Sequence, residues 1–199
     1  MNSPRFRPAG LLVEHGPHRV MLDGGPGSEP KRGLDAWLVT DARAELIREI
    51  RSLARRHGAE PVVAPFTGNG LTIDPRPVVH TSHDTYGYLI AAEGRLIAWA
   101  PEFLEFPSWA AGVDLLLADA AGWDRPIRFA GGVGGHTAAL DVAAWATRMG
   151  MARLVFAHIG RPTIRAMDAG KRPPFGTFGW DDAVYLPRRW RPRNLPSRR

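Results

Sequence analysis

Five side chains that can bind a metal ion or transfer a proton end apolar, strand-like runs of the sequence. They are Asp23, Asp41, His80, Glu102 and His158. In layered α/β proteins, ligands and substrates are held by the loops at strand ends. Imidazole and carboxylate groups together suit zinc, manganese or iron. Because the chain contains no cysteine, any metal ion must be bound by histidine, aspartate, glutamate or backbone oxygen.

The elements that must position these side chains follow a mixed order. Two runs with helical spacing predict helices, one that ends before Gly58 and one over about residues 137–149. Asp41 stands where the first helix would need an N-cap, and Glu93-Gly94 predicts a tight turn. Strand-rich segments flanked by helices predict a layered α/β or α+β fold. The predicted strands lie within residues 10–23, 36–40, 61–64, 71–99, 113–118 and 154–157.

The segments that carry these residues resemble the metallo-β-lactamase fold family over about residues 10–162. The family's opening hairpin is similar to GLLVEHGPHRVMLDGGPG, and a segment with a ligand histidine is similar to HTSHDTYGYLI. The strand and turn that present a bridging aspartate resemble RLIAWAPEF. The most specific similarity joins the family's final helix, strand and ligand histidine to GGHTAALDVAAWATRMGMARLVFAHIG. The resemblance is greatest to the branch with ribonuclease Z and a cyclic phosphodiesterase, and it implies an αββα sandwich.

The family's main metal-binding motif is altered in this chain. The motif reads T-H-x-H-x-D-H, whereas the chain has TDARAEL at the same place. Asp41 and Arg43 replace the two early histidines. Glu45 replaces the acid, Leu46 replaces the last histidine, and Glu102 stands where the family has its bridging aspartate. Since a guanidinium stays protonated and cannot bind a metal, the usual two-metal centre cannot be assembled in its usual form.

One interpretation is a hydrolase with a rebuilt site for a single divalent ion, acting on a phosphodiester or another small-molecule ester. A mixed nitrogen and oxygen ligand set suits zinc, manganese or iron. The resemblance implies that His136, which follows the glycine-rich loop at residues 131–135, donates a proton. Glu45 is a further candidate ligand. The ligand set of this interpretation is Asp41, His80, Glu102 and His158.

The alternative interpretation is a metal-free protein with the same fold. Arg43 would then replace the positive charge of a metal and pair with Glu45 or Glu102. The domain would be catalytically inactive and would bind a ligand or a partner through its pocket. Arg43 favours this alternative, whereas the presence of three histidines in the order of the family favours the hydrolase.

Several of these residues also have a purely structural interpretation. His80 and His83 compete for one ligand position, and we favour His80 because it directly ends an apolar run. Asp23 precedes two glycines, so we expect it to bind the backbone of its turn and to support the site indirectly. Asp41 can serve as a helix N-cap, and Glu102 can be a surface acid.

The net charge of +6 comes from a Pro- and Arg-rich tail. Residues 188–199 contain six arginines and no acid, and without them the formal charge is near zero. We predict one domain over residues 1–187, followed by a disordered tail. Nucleic-acid binding through that tail is a third functional alternative.

The sequence does not predict a membrane protein. No run of about 18 apolar residues is present, and we find no apolar signal region before Glu14. Together with the lack of cysteine, this favours a cytoplasmic protein. A homodimer is left open, with Trp109 as a candidate apolar contact.

Overall fold

The opening hairpin is the start of a four-stranded sheet. The computed structural model describes residues 5–186, so the predicted tail at residues 188–199 lies outside the described part. The four strands are β1 Gly10–His15, β2 His18–Asp23, β3 Ala36–Leu38 and β4 Pro61–Val62. They lie in the order β1-β2-β3-β4, with β1 antiparallel to β2 and the other two pairs parallel.

A second, seven-stranded sheet contains most of the remaining strands. It begins with β5 Phe66–Gly68, β6 Leu71–Val78, β7 Thr85–Ala92, β8 Arg95–Ala100 and β9 Leu115–Ala120. Two short strands, β10 Ile127–Arg128 and β11 Gly135–His136, pair only with each other. The seven-stranded sheet is completed by β12 Leu154–Ile159 and β13 Thr177–Phe178, in the order β13-β12-β9-β8-β7-β6-β5.

In the described part of the chain, three α-helices cover the outer faces of the two sheets. They are α1 Ile47–Arg56, α2 Ala139–Arg148 and α3 Arg161–Asp168. Short 3-10 helices occupy Ser108–Ala110 and Ala130–Gly132. The two longest of the described helices have ten residues, about half of what a bilayer requires, and none is long and apolar enough to span a membrane.

The layers follow from the alternation of side chains along β2. Val20 and Leu22 point inwards and pack against the seven-stranded sheet, for example against Leu117. Met21, between them, points outwards and packs with α1 through Leu53, because successive side chains of a strand face opposite sides. The other face of the seven-stranded sheet packs against α2 and α3. The result is an αββα sandwich, which confirms the predicted fold class.

The structure corrects two predictions about helix ends. α1 begins at Ile47, and its N-cap is Leu46, so Asp41 is not the N-cap. The Pro-, Gly- and Arg-rich stretch after Gly160 contains α3, which the sequence pattern does not predict. Pro162 lies in the first turn of that helix, where its missing N–H group removes no helical hydrogen bond.

The tight turn predicted at Glu93-Gly94 is confirmed. Glu93 and Gly94 have positive φ values of 51° and 69° and join β7 to β8, as a tight hairpin turn requires. Trp109 is half-buried, and its indole donates a hydrogen bond to the Pro77 carbonyl at 2.9 Å. The indole is therefore held within its own chain, and its contact in a homodimer stays a prediction.

Candidate active site

The ends of three neighbouring strands bring acidic and imidazole side chains to one edge of the seven-stranded sheet. β8, β9 and β12 run parallel to one another, so their carboxyl ends meet at the same edge. Glu102 follows β8, Asp119 lies near the end of β9, and His158 lies near the end of β12. His136 on β11 and His80 after β6 reach the same place.

A cavity of about 400 Å³ opens at this edge. Its opposite wall includes the loop after β3, which contains the altered motif. The structure therefore gathers side chains from distant parts of the chain around one space. The residues singled out in the sequence that line it are Asp23, Asp41, Arg43, Glu45, His80, Glu102, His136 and His158, together with the alternative His83.

Glu102 lies between two imidazole rings. Its Oε2 is 3.5 Å from His80 Nε2, and its Oε1 is 3.5 Å from His158 Nε2. Burial of the Glu102 carboxyl opposes ionisation, but the nearby His158, His80 and His136 hold its pKa below the usual range. The centre of the site is therefore a carboxylate and not a carboxylic acid. Glu102 is not the plain surface acid of the structural interpretation.

Hydrogen bonds fix the orientation of two of the rings. His80 Nδ1 donates to the Gly135 carbonyl at 2.9 Å, since a carbonyl oxygen can only accept. His136 Nδ1 contacts Asp119 Oδ2 at 2.8 Å. In both rings the Nε2 atom is left for the cavity. One ligand atom each from His80, Glu102 and His136 lies within 4.8 Å of the other two.

The stacked rings of His136 and His158 differ in their affinity for a proton. The rings are 5.3 Å apart and tilted by 7°. Burial acts to lower the pKa of His136, but the Asp119 carboxylate raises it above its ordinary value. Burial lowers the pKa of His158, and the carboxylates of Glu102 and Asp119 do not reverse that effect. His136 thus favours the protonated form and His158 the neutral form, which suits a proton donor beside a metal ligand.

Asp119 is a site residue that the sequence reasoning misses. Its carboxylate is fully buried and accepts hydrogen bonds from the backbone N–H groups of Phe103 at 3.1 Å and Ala121 at 2.8 Å, besides His136. It ends the apolar run LLLA of β9. The rule that selects Glu102 and His158, a polar residue at the end of an apolar strand, would also have found it.

Asp41 and His83 form a separate pair on the opposite wall. His83 Nε2 is 3.0 Å from Asp41 Oδ1 and 3.1 Å from Oδ2. Asp41 Oδ1 also accepts a hydrogen bond from the Arg43 backbone at 2.7 Å. Within residues 5–186, Glu102 pairs with His80 and His158 and not with Arg43, so the expected pairing of Arg43 with Glu102 is wrong.

Asp23 connects the two sheets below the cavity. Its Oδ1 accepts hydrogen bonds from Thr40 N at 2.7 Å and Thr40 Oγ1 at 2.9 Å, and its Oδ2 accepts one from Trp99 Nε1 at 2.7 Å. Burial raises the pKa of Asp23 to about 6, although these three bonds favour the ionised form. Within the described residues, the Asp23 carboxylate thus binds Thr40 and Trp99, whereas the sequence predicts that it binds the backbone of its own turn; its support of the site stays a prediction.

Two pairs of donor atoms around Glu102 have the spacing of ligands that share one metal ion, whereas the group of three donors that lie within 4.8 Å of one another is His80, Glu102 and His136. Two donors at about 2.1 Å from a tetrahedral ion lie about 3.4 Å apart. The separations from Glu102 to His80 and to His158 are both 3.5 Å. Imidazole rings with the opposite nitrogen held by an acceptor are also the usual form of histidine ligands. The residues present therefore fit a divalent metal ion.

A family model described as the beta-lactamase superfamily domain matches residues 18–159. The chain belongs to the beta-lactamase superfamily. The matched residues run from β2 to β12 and include every residue that we propose as a ligand or a proton donor. No curated protein sequence matches the chain.

Solved structures of superfamily members share this fold at low sequence identity. The metallo-beta-lactamase fold protein YhfI from Bacillus subtilis is 14% identical, with a TM-score of 0.66 over 90% of this chain and 92% of that one. A diphosphatase from the PhnP family is 18% identical, with a TM-score of 0.64 over 88% and 82%. Zn²⁺-bound PqqB from Methylobacterium extorquens is 16% identical, with a TM-score of 0.62 over 89% and 87%. The resemblance to the metallo-β-lactamase fold family is confirmed.

Proposed function

We propose that the protein is a metal-dependent hydrolase that cleaves a phosphodiester or another ester with a single divalent ion. The observation that carries the proposal is the Glu102 carboxylate, flanked at 3.5 Å by Nε2 of His80 and of His158. The fold shared with a diphosphatase of the PhnP family supports a phosphoryl substrate, and the fold shared with Zn²⁺-bound PqqB supports a metal.

His80, Glu102 and His158 would hold the ion. Asp41 is left out of this set because both of its carboxylate oxygens face His83. A bound ion supplies Lewis-acid polarisation of a phosphoryl or carbonyl oxygen. The neutral form of His158, favoured by burial, leaves a lone pair for coordination.

His136 would donate a proton to the leaving oxygen. Asp119 holds the ring through Nδ1 and raises its pKa, so Nε2 can carry the proton into the cavity. The leaving oxygen departs as an alcohol when it takes that proton. The same geometry permits His136 to replace His158 as the third ligand, because its donor atom also lies near those of His80 and Glu102.

Metal content measured on four proteins distinguishes these roles. Elemental analysis would compare the wild type with His158→Ala, His136→Ala and, as a matched control from the same cavity, His83→Ala. Loss of a ligand should weaken metal binding more than about 100-fold, since the groups that orient ligands already contribute about 10- to 100-fold. We expect the His158→Ala variant to lose its metal. The other two should keep it. Hydrolysis of a phosphodiester with an alkyl leaving group, which needs a proton to depart as an alcohol, should be lost in His158→Ala and in His136→Ala and kept in His83→Ala.

Two other outcomes are informative. A His136→Ala variant without metal would make His136 the third ligand. A wild type that takes up no zinc, manganese or iron would refute the hydrolase and leave a binding module, for which the lost early histidines and the exposed Arg43 already argue.

A further inference from the structure

Two arginines on the walls of the cavity have no acidic partner in the described part of the chain. Arg43 belongs to the loop after β3, and Arg161 is the first residue of α3. Both line the cavity, and both are exposed. No ion pair between residues 5 and 186 includes either of them. A guanidinium keeps its charge at every physiological pH, so each contributes a full positive charge.

Acids that line the same cavity already interact with groups other than these two arginines. Asp41 faces His83, and Glu102 lies between two histidines. Glu45 also has an interaction partner. The third arginine of the cavity, Arg7, pairs with two aspartates. Among residues 5–186, the arginine charge that remains for a ligand in this cavity therefore comes from Arg43 and Arg161.

The backbone of each arginine is held in place. Arg43 N donates to the buried Asp41 carboxylate at 2.7 Å. The first turn of α3 is anchored by Thr163 Oγ1, which donates to the Gly122 carbonyl at 3.1 Å. The N-terminus of α3 has no side-chain hydrogen bond at its cap, and the helix dipole adds partial positive charge to the same wall.

We propose that Arg43 and Arg161 form a subsite for a phosphate group of the substrate, distinct from the bond that is hydrolysed. A phosphate monoester carries about two negative charges at neutral pH, which matches two guanidinium groups. Each guanidinium can donate two parallel hydrogen bonds to such a group. This inference rests on the proposed function and narrows it: the substrate is an ester or phosphodiester that also carries a phosphate monoester.

The test measures binding of inorganic phosphate to the full-length protein in the presence of a chelator. Isothermal titration at constant ionic strength would compare the wild type with Arg43→Gln and Arg161→Gln. Arg148→Gln is the matched control, because Arg148 is exposed on α2 and does not line the cavity. Thermal unfolding would show that each variant is folded. An Arg43→Lys variant keeps the charge and loses the planar donor pair.

We expect each cavity variant to weaken phosphate binding about tenfold, as charge-assisted hydrogen bonds to phosphate usually do. The Arg148→Gln variant should bind like the wild type, and Arg43→Lys should fall between the wild type and Arg43→Gln. Equal binding by all the variants would overturn the proposal, and so would a wild type that binds no phosphate at millimolar concentration. Because the metal is removed, failure of the subsite is separate from failure of the metal site.

Discussion

Replacing Asp23 with asparagine should change how the stability of the protein depends on pH. Asp23 has a pKa of about 6 in the folded protein against an ordinary value of 3.8. The folded state therefore binds a proton more tightly than the unfolded state does. The contribution of Asp23 is fully present below the unfolded pKa and is lost as the pH rises towards the folded pKa.

The size of the effect follows from the difference between the two pKa values. Each pKa unit is worth about 1.4 kcal/mol, so Asp23 contributes about 3 kcal/mol to the free energy of unfolding at low pH. About 2.5 kcal/mol of this contribution is lost between pH 4 and pH 7.5. Asparagine cannot ionise, so Asp23→Asn does not lose this free energy of unfolding as the pH rises. Asparagine keeps an oxygen for Thr40 but presents an N–H group to Trp99 Nε1, so one buried hydrogen bond is lost at every pH. That loss costs about 1–3 kcal/mol.

Urea unfolding followed by tryptophan fluorescence, at constant ionic strength with a chelator, gives the free energy of unfolding of both proteins. Near pH 4 the wild type should be the more stable. Its advantage over Asp23→Asn should shrink by about 2.5 kcal/mol by pH 7.5. Asp124→Asn is the control, because the Asp124 carboxylate is exposed. A difference between wild type and Asp23→Asn that stays constant across this range would refute the reasoning.

Two further changes test the supports of the imidazole cluster. A Cβ atom at Gly134 would lie 1.9 Å from the His80 carbonyl oxygen, at a φ of +152°, so Gly134→Ala should lower the free energy of unfolding by at least about 2 kcal/mol and displace His80. Gly33→Ala, which meets nothing within 4 Å, should leave it unchanged; equal losses in both variants would contradict this. Asp119→Asn should lower the pKa of His136 in an NMR titration, because the carboxylate is what raises it. An unchanged pKa would show that Asp119 is not the cause.

The layered fold could be predicted from the sequence because hydrophobic periodicity and the order of the strands are local properties. The hairpin turn at Glu93-Gly94 and the helix α2 follow from a few neighbouring residues. The helix α3 could not, since its composition is typical of a loop and its stability comes from packing Ile164 and Ala166 against the core. Periodicity therefore finds elements whose own residues decide their structure.

The candidate site could be predicted only in part from the sequence, and the reason is different from that for α3. That His80, Glu102 and His158 end strands is visible in the sequence. Two contacts depend on how a loop of one sheet lies against a loop of the other: Asp41 faces His83, and Arg43 forms no ion pair with an acid of residues 5–186. No pattern in the sequence encodes these contacts, because each joins residues far apart in the chain or depends on the path of a loop.

The cavity lies between loops of two different sheets. The wall with Asp41 continues from β3 of the four-stranded sheet, whereas the wall with Glu102 continues from β8 of the seven-stranded sheet. The gap between the walls is therefore set by the side chains packed between the sheets, such as Leu22 and Leu117. Bulkier or smaller residues there would widen or narrow the entrance. The width of the cavity entrance is in this way adjustable from the interior of the molecule, without altering any residue that lines the cavity.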